Sequence, residues 1–417
     1  MLEGDAFLAE RIAEVGRLRA RIDEEALCSF ASSLNDGHGC SIEHPPAWGP
    51  GALMGGANYH ARIHFDNVTW LVRIPRADGN DLSIPSWLVG HLVRSEYATL
   101  KFLETTKVPA PRAFGYGLSS DPGNAIGVSF LLMEEMPGKV WNGQGSLGKR
   151  DADDDDRARV WNDLADILIE LRRHPFPEAG SLEFQSSRAE SPFTVSGVAS
   201  DRLLVLGNLG PYHTEMDYFN GFVDEMLSLI ADGQLHTAYP IDAYLVFSFL
   251  KESIPTLVES SSEQDKFYLK HIDDKGDHLM VDDNLNITGI IDWQMARIVP
   301  ASEAFGPSLI TASMADIYDG NSSLTRDDLV LAQKLRDKGA HDLAGIMSGT
   351  EKLRRFFFGI QRNMPWEEAL QMVRGIWTAF GSDKDMDWQV WKEEALQAHA
   401  GDLRLQELQV RLAAAGP

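Results

Sequence analysis

The segment from His271 to Asp292 contains two aspartates in a setting that suits phosphoryl transfer. Asp273 stands in a short predicted loop, and Asp292 follows a predicted β-hairpin 19 residues later (292 − 273). Phosphoryl transfer needs one carboxylate to orient the acceptor hydroxyl and accept its proton. It needs a second carboxylate to hold the metal ion that neutralises a triphosphate. The residue types and their spacing therefore predict this chemistry.

The same segment resembles the catalytic loop of kinases, which is written His-x-Asp-x4-Asn and is followed by a metal-binding Asp. In the phosphotransferase branch that Asp precedes an aromatic residue, and here it precedes Trp293. Segments 174–184 and 299–309 also resemble the corresponding segments of fungal phosphotransferases of this branch. The chain is therefore similar to the fungal aminoglycoside-phosphotransferase family, a protein-kinase-like family, over about residues 40–320.

The resemblance implies a role for each residue of the motif. Asp273 would be the catalytic base, His271 would brace the loop, and Asp292 would be the principal Mg²⁺ ligand. The family has Asn five residues after the catalytic Asp, whereas this chain has His278 there. Magnesium prefers oxygen ligands and imidazole suits softer metals. His278 at the second metal position therefore indicates a preference for Mn²⁺, catalysis with one metal ion, or loss of phosphoryl transfer.

A glycine-containing stretch upstream could cover the phosphates of a nucleotide. Gly55, Gly56 and Asn58 lie between two predicted strands, and glycines allow close backbone approach with N–H groups available to phosphate oxygens. The resemblance implies that the next strand carries a basic residue that grips the phosphates and pairs with a helix glutamate. Arg73 and Glu96 match those positions, with Arg in place of Lys. The alternatives are an ordinary turn and a structural ion pair.

The stretch from Phe130 to Gly138 resembles the hinge that joins the two lobes of a kinase. It is an apolar predicted strand that ends in a connector. Adenine would stack on apolar side chains and form hydrogen bonds with the backbone near Glu134 and Met136. The resemblance thus implies ATP and Mg²⁺ as cofactors, with Mn²⁺ as an alternative metal.

The elements around these motifs predict an α+β, two-lobed protein-kinase-like fold. Residues 1–40 form a predicted helical extension with apolar residues at the spacing of an amphipathic surface helix. Residues 41–137 form a predicted nucleotide-binding lobe, a small antiparallel sheet with one helix. Residues 138–417 form a predicted helical lobe that contains the catalytic loop, 271–293. The resemblance implies that the helical insertion at 139–270 shapes the acceptor pocket.

Composition narrows the classes of partner. The 38 basic and 62 acidic residues give a formal charge of −24, which repels nucleic acid and anionic membranes and attracts cations. A small hydroxyl-bearing substrate, with a cationic one as an option, is therefore expected. No apolar run approaches the roughly 18 residues of a membrane span. With no signal-peptide pattern and only Cys28 and Cys40, a cytoplasmic protein is expected. The sequence indicates no particular oligomeric state.

Two acidic segments invite other interpretations. Asp282 to Asn286 begins like a calcium loop, but Ile287 and Trp293 occupy the Gly and Glu positions of that motif, so a hairpin turn is predicted. The acidic run at 151–156 is predicted to cap the helix that follows, because carboxylates complement the helix dipole.

Three functions are compatible with the sequence. The first is ATP-dependent transfer of the γ-phosphoryl group to a hydroxyl of a small metabolite. The second is a catalytically inactive kinase-like fold that binds a metabolite, a nucleotide or a protein, and His278 is the reason to consider it. The third is non-phosphorylating chemistry in the same cleft, such as nucleotidyl transfer.

Overall fold

The computed structural model describes residues 2–47, 52–53, 55–76, 84–145, 151–185, 192–200, 209–258, 266–361, 364–383 and 385–415. The chain divides into two compact units. The first unit comprises Met1–Trp141, Ser181–Leu206 and Asp277–Arg297. The second comprises Asn142–Gly180, Gly207–Gly276 and Ile298–Pro417.

A five-stranded antiparallel sheet forms the centre of the first unit. In chain order, its elements are α1 (Leu2–Arg19), α2 (Glu24–Leu34), β1 (Ser41–Glu43), β2 (Asn58–His64), β3 (Thr69–Pro75), α3 (Ser86–Leu103), β4 (Ala113–Gly117) and β5 (Phe130–Glu134). The strand order is β1-β2-β3-β5-β4. Strands β2 and β3 pair from Asn58↔Pro75 to His64↔Thr69. The predicted order of two strands, a helix and two further strands is therefore confirmed.

The N-terminal helices cover one face of this sheet. Val15 of α1, Leu27 and Ala31 of α2, and Ile22 of the turn between the helices are buried in one cluster with every second residue of β2, β3 and β5. Successive strand residues point to opposite faces, so Val72 and Ile74 face the helices whereas Arg73 faces away from them. One amphipathic surface helix was predicted here. The structure has two helices, because the Asp23 carboxylate caps α2 by accepting from Ala26 N at 2.9 Å.

A three-stranded sheet follows the hinge segment. It consists of β6 (Lys139–Val140), β10 (Leu279–Val281) and β11 (Ile287–Ile290), in the order β11-β10-β6. In the turn between β10 and β11, the Asp282 carboxylate accepts from the backbone N of Asn284 and Asn286, at 2.8 and 2.9 Å. The predicted hairpin turn is therefore confirmed.

A two-stranded ribbon packs against α3. It consists of β7 (Ser181–Phe184) and β8 (Phe193–Ser196), which pair antiparallel. His91 on α3 holds the ribbon, because its Nδ1 lies 2.9 Å from Glu183 Oε1 and its Nε2 lies 3.0 Å from Gly197 O. Tyr97 of α3 also packs on Phe184, with ring centroids 5.8 Å apart. The ribbon thereby fixes the helix that carries Glu96.

The second unit is mostly helical. Its helices are α4 (Asp154–Leu171), α5 (Glu215–Ala231), α6 (Pro240–Val258), α7 (Ala301–Phe305), α8 (Met314–Tyr318), α9 (Arg326–Asp337), α10 (His341–Met347), α11 (Lys352–Phe358), α12 (Trp366–Ala379), α13 (Trp388–Ala398) and α14 (Leu403–Ala415). A 3-10 turn covers Leu309–Thr311, and β9 (Phe267–Lys270) pairs with β12 (Arg297–Pro300). Asp153 caps α4 by accepting from Asp156 N at 3.0 Å, which confirms the predicted role of the acidic run.

The compact units differ from the predicted lobes, which met at residues 137 and 138. Residues 181–206 lie within the predicted insertion but belong to the first unit, because the ribbon packs against α3. Residues 277–297 belong to the first unit as well, so the predicted catalytic loop at 271–293 is divided between the units. The compact units are defined by contacts between residues in space, and the order of segments along the chain does not determine those contacts.

The cysteines and the helices agree with the sequence-based expectations. Cys28 and Cys40 are free thiols, as predicted. Within the described parts of the chain, none of the helices combines the length and the apolar character that crossing a membrane requires.

Candidate active site

Arg73 is the centre of a buried polar cluster in the first unit. Its position on β3 directs its side chain to the sheet face opposite α1 and α2, where its Nη1 donates to Glu96 Oε1 at 2.6 Å. Both side chains are almost fully buried, with 4% and 5% exposed. The structure therefore brings the two residues together as an ion pair between the sheet and α3.

Asp292 joins the same arginine from the chain segment after β11. Its Oδ1 accepts a hydrogen bond from Arg73 Nη2, yet 51% of its side chain is exposed. Its φ of +67° lies in the left-handed region, which non-glycine residues seldom occupy and which often marks functional sites. The turn is secured by Trp293, which is 1% exposed and donates from Nε1 to Ile290 O at 2.8 Å. Asp292 is thus firmly held and still accessible.

Two amides complete the cluster. Gln294 Oε1 accepts from Arg73 Nη2 at 2.9 Å, and the amide ends of Gln294 and Asn58 lie 2.5 Å apart. With the Asn58 amide flipped, its oxygen accepts from Arg73 Nη2 at 2.6 Å and from Nε at 3.1 Å. Asn58 therefore connects the end of the glycine stretch to Arg73.

The charges in this cluster influence one another strongly. Burial raises the pKa of Glu96 to about 7, against the lowering effect of Arg73. Burial alone would lower the pKa of Arg73, but Glu96 and Asp292 together raise it above its ordinary value. On the adjacent strand, burial and the charge of Arg73 lower the pKa of His60 to about 4. The permanent positive charge of the cluster is therefore Arg73, and His60 is neutral at physiological pH.

The glycine stretch forms the turn of a short hairpin. His60 N donates to Leu53 O and Gly55 N donates to Asn58 O, both at 3.2 Å. Gly55 and Gly56 are exposed. A Cβ added at either glycine would meet no described atom within 4 Å. The surrounding described residues therefore do not themselves require glycine at these two positions.

The predicted hinge residues lie at the end of β5. Glu134 N already donates to Arg112 O at 2.9 Å. Met136 packs against the backbone at Gly289, where an added Cβ would come within 2.7 Å of Met136 Cε. The backbone N–H of Glu134 is thus used within the first unit.

Asp273 and His271 lie in the second unit, in the loop after β9. His271 is 8% exposed. The Asp273 side chain is 23% exposed, and its Oδ2 lies 3.3 Å from Lys275 Nζ. These residues and the Arg73 cluster belong to different units.

His278 directly precedes the hairpin strand β10 in the first unit. It is 4% exposed, and its carbonyl accepts from Ile291 N at 2.9 Å, one residue before Asp292. Among the residues described, no group of three or more His, Cys, Asp or Glu side chains is arranged to hold a metal ion. Mg²⁺ usually keeps several waters and binds through one or two carboxylates together with phosphate oxygens. The half-exposed Asp292 carboxylate fits such an ion.

Gln294 and Lys275 were not identified from the sequence. Gln294 lies two residues after Asp292, and Lys275 lies two residues after Asp273, so proximity to the motif was the only signal available. Their contacts depend on how the chain folds around Arg73 and Asp273.

Several solved phosphotransferase structures are similar to this chain at low sequence identity. A macrolide 2'-phosphotransferase type I is 13% identical, covers 90% of this chain and 96% of its own, and has a TM-score of 0.37. An ethanolamine kinase from Plasmodium vivax is 11% identical, and the match covers 89% of this chain and 85% of the kinase, with a TM-score of 0.43. A spectinomycin phosphotransferase in complex with ADP and spectinomycin is 11% identical, and the match covers 80% of this chain and 88% of that enzyme, with a TM-score of 0.33.

Sequence comparison gives the family. No curated protein matches the chain significantly in sequence. The family model described as the phosphotransferase enzyme family, APH, matches residues 58–337, which is most of the chain and includes Asn58, Arg73, Glu96, Asp273 and Asp292. The α+β kinase-like fold expected from the sequence agrees with this match. The chain therefore belongs to the phosphotransferase enzyme family.

Proposed function

We propose that this protein transfers the γ-phosphoryl group of ATP to a hydroxyl of a small metabolite. The observation that supports this most is the simultaneous bonding of Arg73 to Glu96 and Asp292. A buried guanidinium fixed by one carboxylate and touching a second, half-exposed one supplies a fixed positive charge for phosphates beside a candidate metal ligand.

Asp292 is the proposed ligand of Mg²⁺, since a hard cation prefers oxygen donors. When bound, the ion neutralises the negative charge of the triphosphate. Glu96 keeps the Arg73 guanidinium in place, and Gln294 and Asn58 hold its remaining edge. Arg73 is thereby preorganised to orient the phosphates, so little reorganisation is needed when the nucleotide arrives.

Asp273 is the proposed base for the acceptor hydroxyl. As the hydroxyl oxygen forms a bond to the γ-phosphorus and the bond to the bridging oxygen breaks, the hydroxyl proton passes to the Asp273 carboxylate. Lys275, 3.3 Å from Asp273 Oδ2, orients that carboxylate. The net charge of −24 supports a cationic acceptor. We also propose that the protein belongs to the fungal branch of the family.

Calorimetric titration with ATP tests the nucleotide site. We expect binding in the micromolar range with excess Mg²⁺ and much weaker binding in EDTA, because Asp292 would hold the ion that neutralises the phosphates. A screen of hydroxylated metabolites then identifies the acceptor, whose product gains about 80 Da when the group transferred is a phosphoryl. Turnover should be lost in Asp273→Asn while ATP binding is retained. Unchanged turnover in that variant would show that Asp273 is not the base.

A second candidate is a nucleotide-binding protein that does not transfer phosphate. His278 favours it, because a buried imidazole stands where the family has an oxygen ligand. ATP binding without any phosphorylated product, in a screen that includes Mn²⁺, would favour this function over the first.

A further inference from the structure

Arg76 connects the glycine stretch to the N-terminal helix α1. Its Nη1 donates to Gly55 O and to Gly56 O, each at 2.8 Å. The other side of the guanidinium binds Glu14 of α1, with Nε 2.7 Å from Oε1 and Nη2 bonded to Oε2. Arg76 is 4% exposed and the Glu14 side chain is 11% exposed. A bidentate arginine–carboxylate pair of this kind is geometrically specific.

This contact fixes the direction of two peptide groups. In a trans peptide the C=O of one residue and the N–H of the next point in opposite directions. Because the carbonyls of Gly55 and Gly56 point to Arg76, the N–H groups of Gly56 and Ala57 point away from it. Neither N–H donates to another described residue.

The sheet shows which way the N–H groups of Gly56 and Ala57 point. Arg76 continues the alternation of Val72 and Ile74, which face α1 and α2, whereas Arg73 faces the other side. The two N–H groups therefore point toward the face that carries Arg73. Adjacent backbone N–H groups pointing the same way form a site that binds anions.

We propose that Glu14 and Arg76 are positioning residues that orient the glycine turn to donate two N–H groups to the phosphates of the nucleotide. This inference rests on the proposed nucleotide site. It assigns a role in nucleotide binding to α1, which lies outside the family match at 58–337. Arg11, one turn before Glu14, adds a longer contact from Nη2 to Gly55 O at 3.4 Å.

The test compares ATP and adenosine binding by calorimetry in the full-length protein. Glu14→Gln removes the charge that holds Arg76, and Arg76→Lys keeps a cation but loses the planar fork. We expect each variant to bind ATP about tenfold more weakly, as for the loss of one charge-assisted hydrogen bond. Adenosine has no phosphates, so its affinity should not change. Glu10→Gln is the matched control, because Glu10 pairs with Arg17 on the exposed side of α1.

Each outcome has a distinct meaning. Loss of ATP affinity with unchanged adenosine affinity and an unchanged Glu10→Gln control supports the proposal. Equal loss for both ligands would show that the pair acts through the general stability of the fold, and would overturn it. Wild-type ATP affinity in both folded variants would overturn it and leave the proposed function standing. If the wild-type protein binds adenosine but gains nothing from the phosphates of ATP, the proposed function fails, and the inference fails with it.

Discussion

Two buried arginine clusters, one in each unit, differ in how their carboxylates are used. In the second unit, Asp328 is fully buried and each of its oxygens accepts two hydrogen bonds. The donors are Arg354, Thr311 and Thr325. In the first unit, Asp292 accepts from Arg73 but remains 51% exposed, in a backbone conformation that is unusual for aspartate.

The difference separates a structural cluster from a candidate binding site. A buried carboxylate whose oxygens all have protein donors has no capacity left for a ligand, and breaking such a pair is costly. A carboxylate that is half-exposed, as Asp292 is, can exchange water for a metal ion or a substrate. Burial of an ion pair alone therefore does not indicate function.

The largest effect is expected from Asp292→Asn. Removing the charge should lower turnover by about a thousandfold or more, because metal stabilisation contributes several kcal/mol to phosphoryl transfer. The free energy of unfolding should change little. Initial-rate assays and thermal melts measure the two quantities. Asp283→Asn is the matched control, since Asp283 is a 96% exposed carboxylate in the adjacent hairpin turn. Normal turnover in Asp292→Asn would show that the Arg73 cluster, like the Arg354 cluster, has only a structural role.

The opposite behaviour is expected from Asp328→Asn. The free energy of unfolding should fall by about 3 kcal/mol, because Arg354 loses one of its two buried counter-charges and keeps only Glu351. Turnover per folded molecule should stay normal. Urea denaturation gives the stability, and Asp154→Asn, which removes an exposed partner of Arg326, should cost less than about 1 kcal/mol. A change in turnover without a loss of stability would contradict a structural role for Asp328.

The smallest effect is expected at the contact that fixes α3. Burial raises the pKa of Glu183, but hydrogen bonds with His91 and Arg94 together lower it below the usual 4.5. A lowered folded-state pKa stabilises the fold above about pH 4.5, and the contribution is lost as the pH falls through the folded-state pKa. Glu183→Gln should therefore cost about 1 kcal/mol at pH 7. Thermal melts at descending pH should show the difference from wild type shrinking; a constant difference would contradict this origin.

Much of the candidate site could be predicted from local patterns. The spacing of His271, Asp273 and Asp292 and the alternation of β2 and β3 identified the motif and the sheet. Gln294, Lys275 and Arg76 were not identified, because a single Gln, Lys or Arg carries no periodic signal. Their importance comes from contacts, and Arg73 and Asp292 themselves are 219 residues apart in sequence.

The sequence by itself determined the family pattern, the order of strands and helix in the first unit, and the local capping of α4 by Asp153. These features depend on neighbouring residues, on the two-residue period of strands and on short turns. Only the tertiary structure decided that residues 181–206 join the first unit and that Glu14 reaches the glycine turn through Arg76. Those contacts depend on which surfaces pack together, because burial rewards shape and charge complementarity between distant segments.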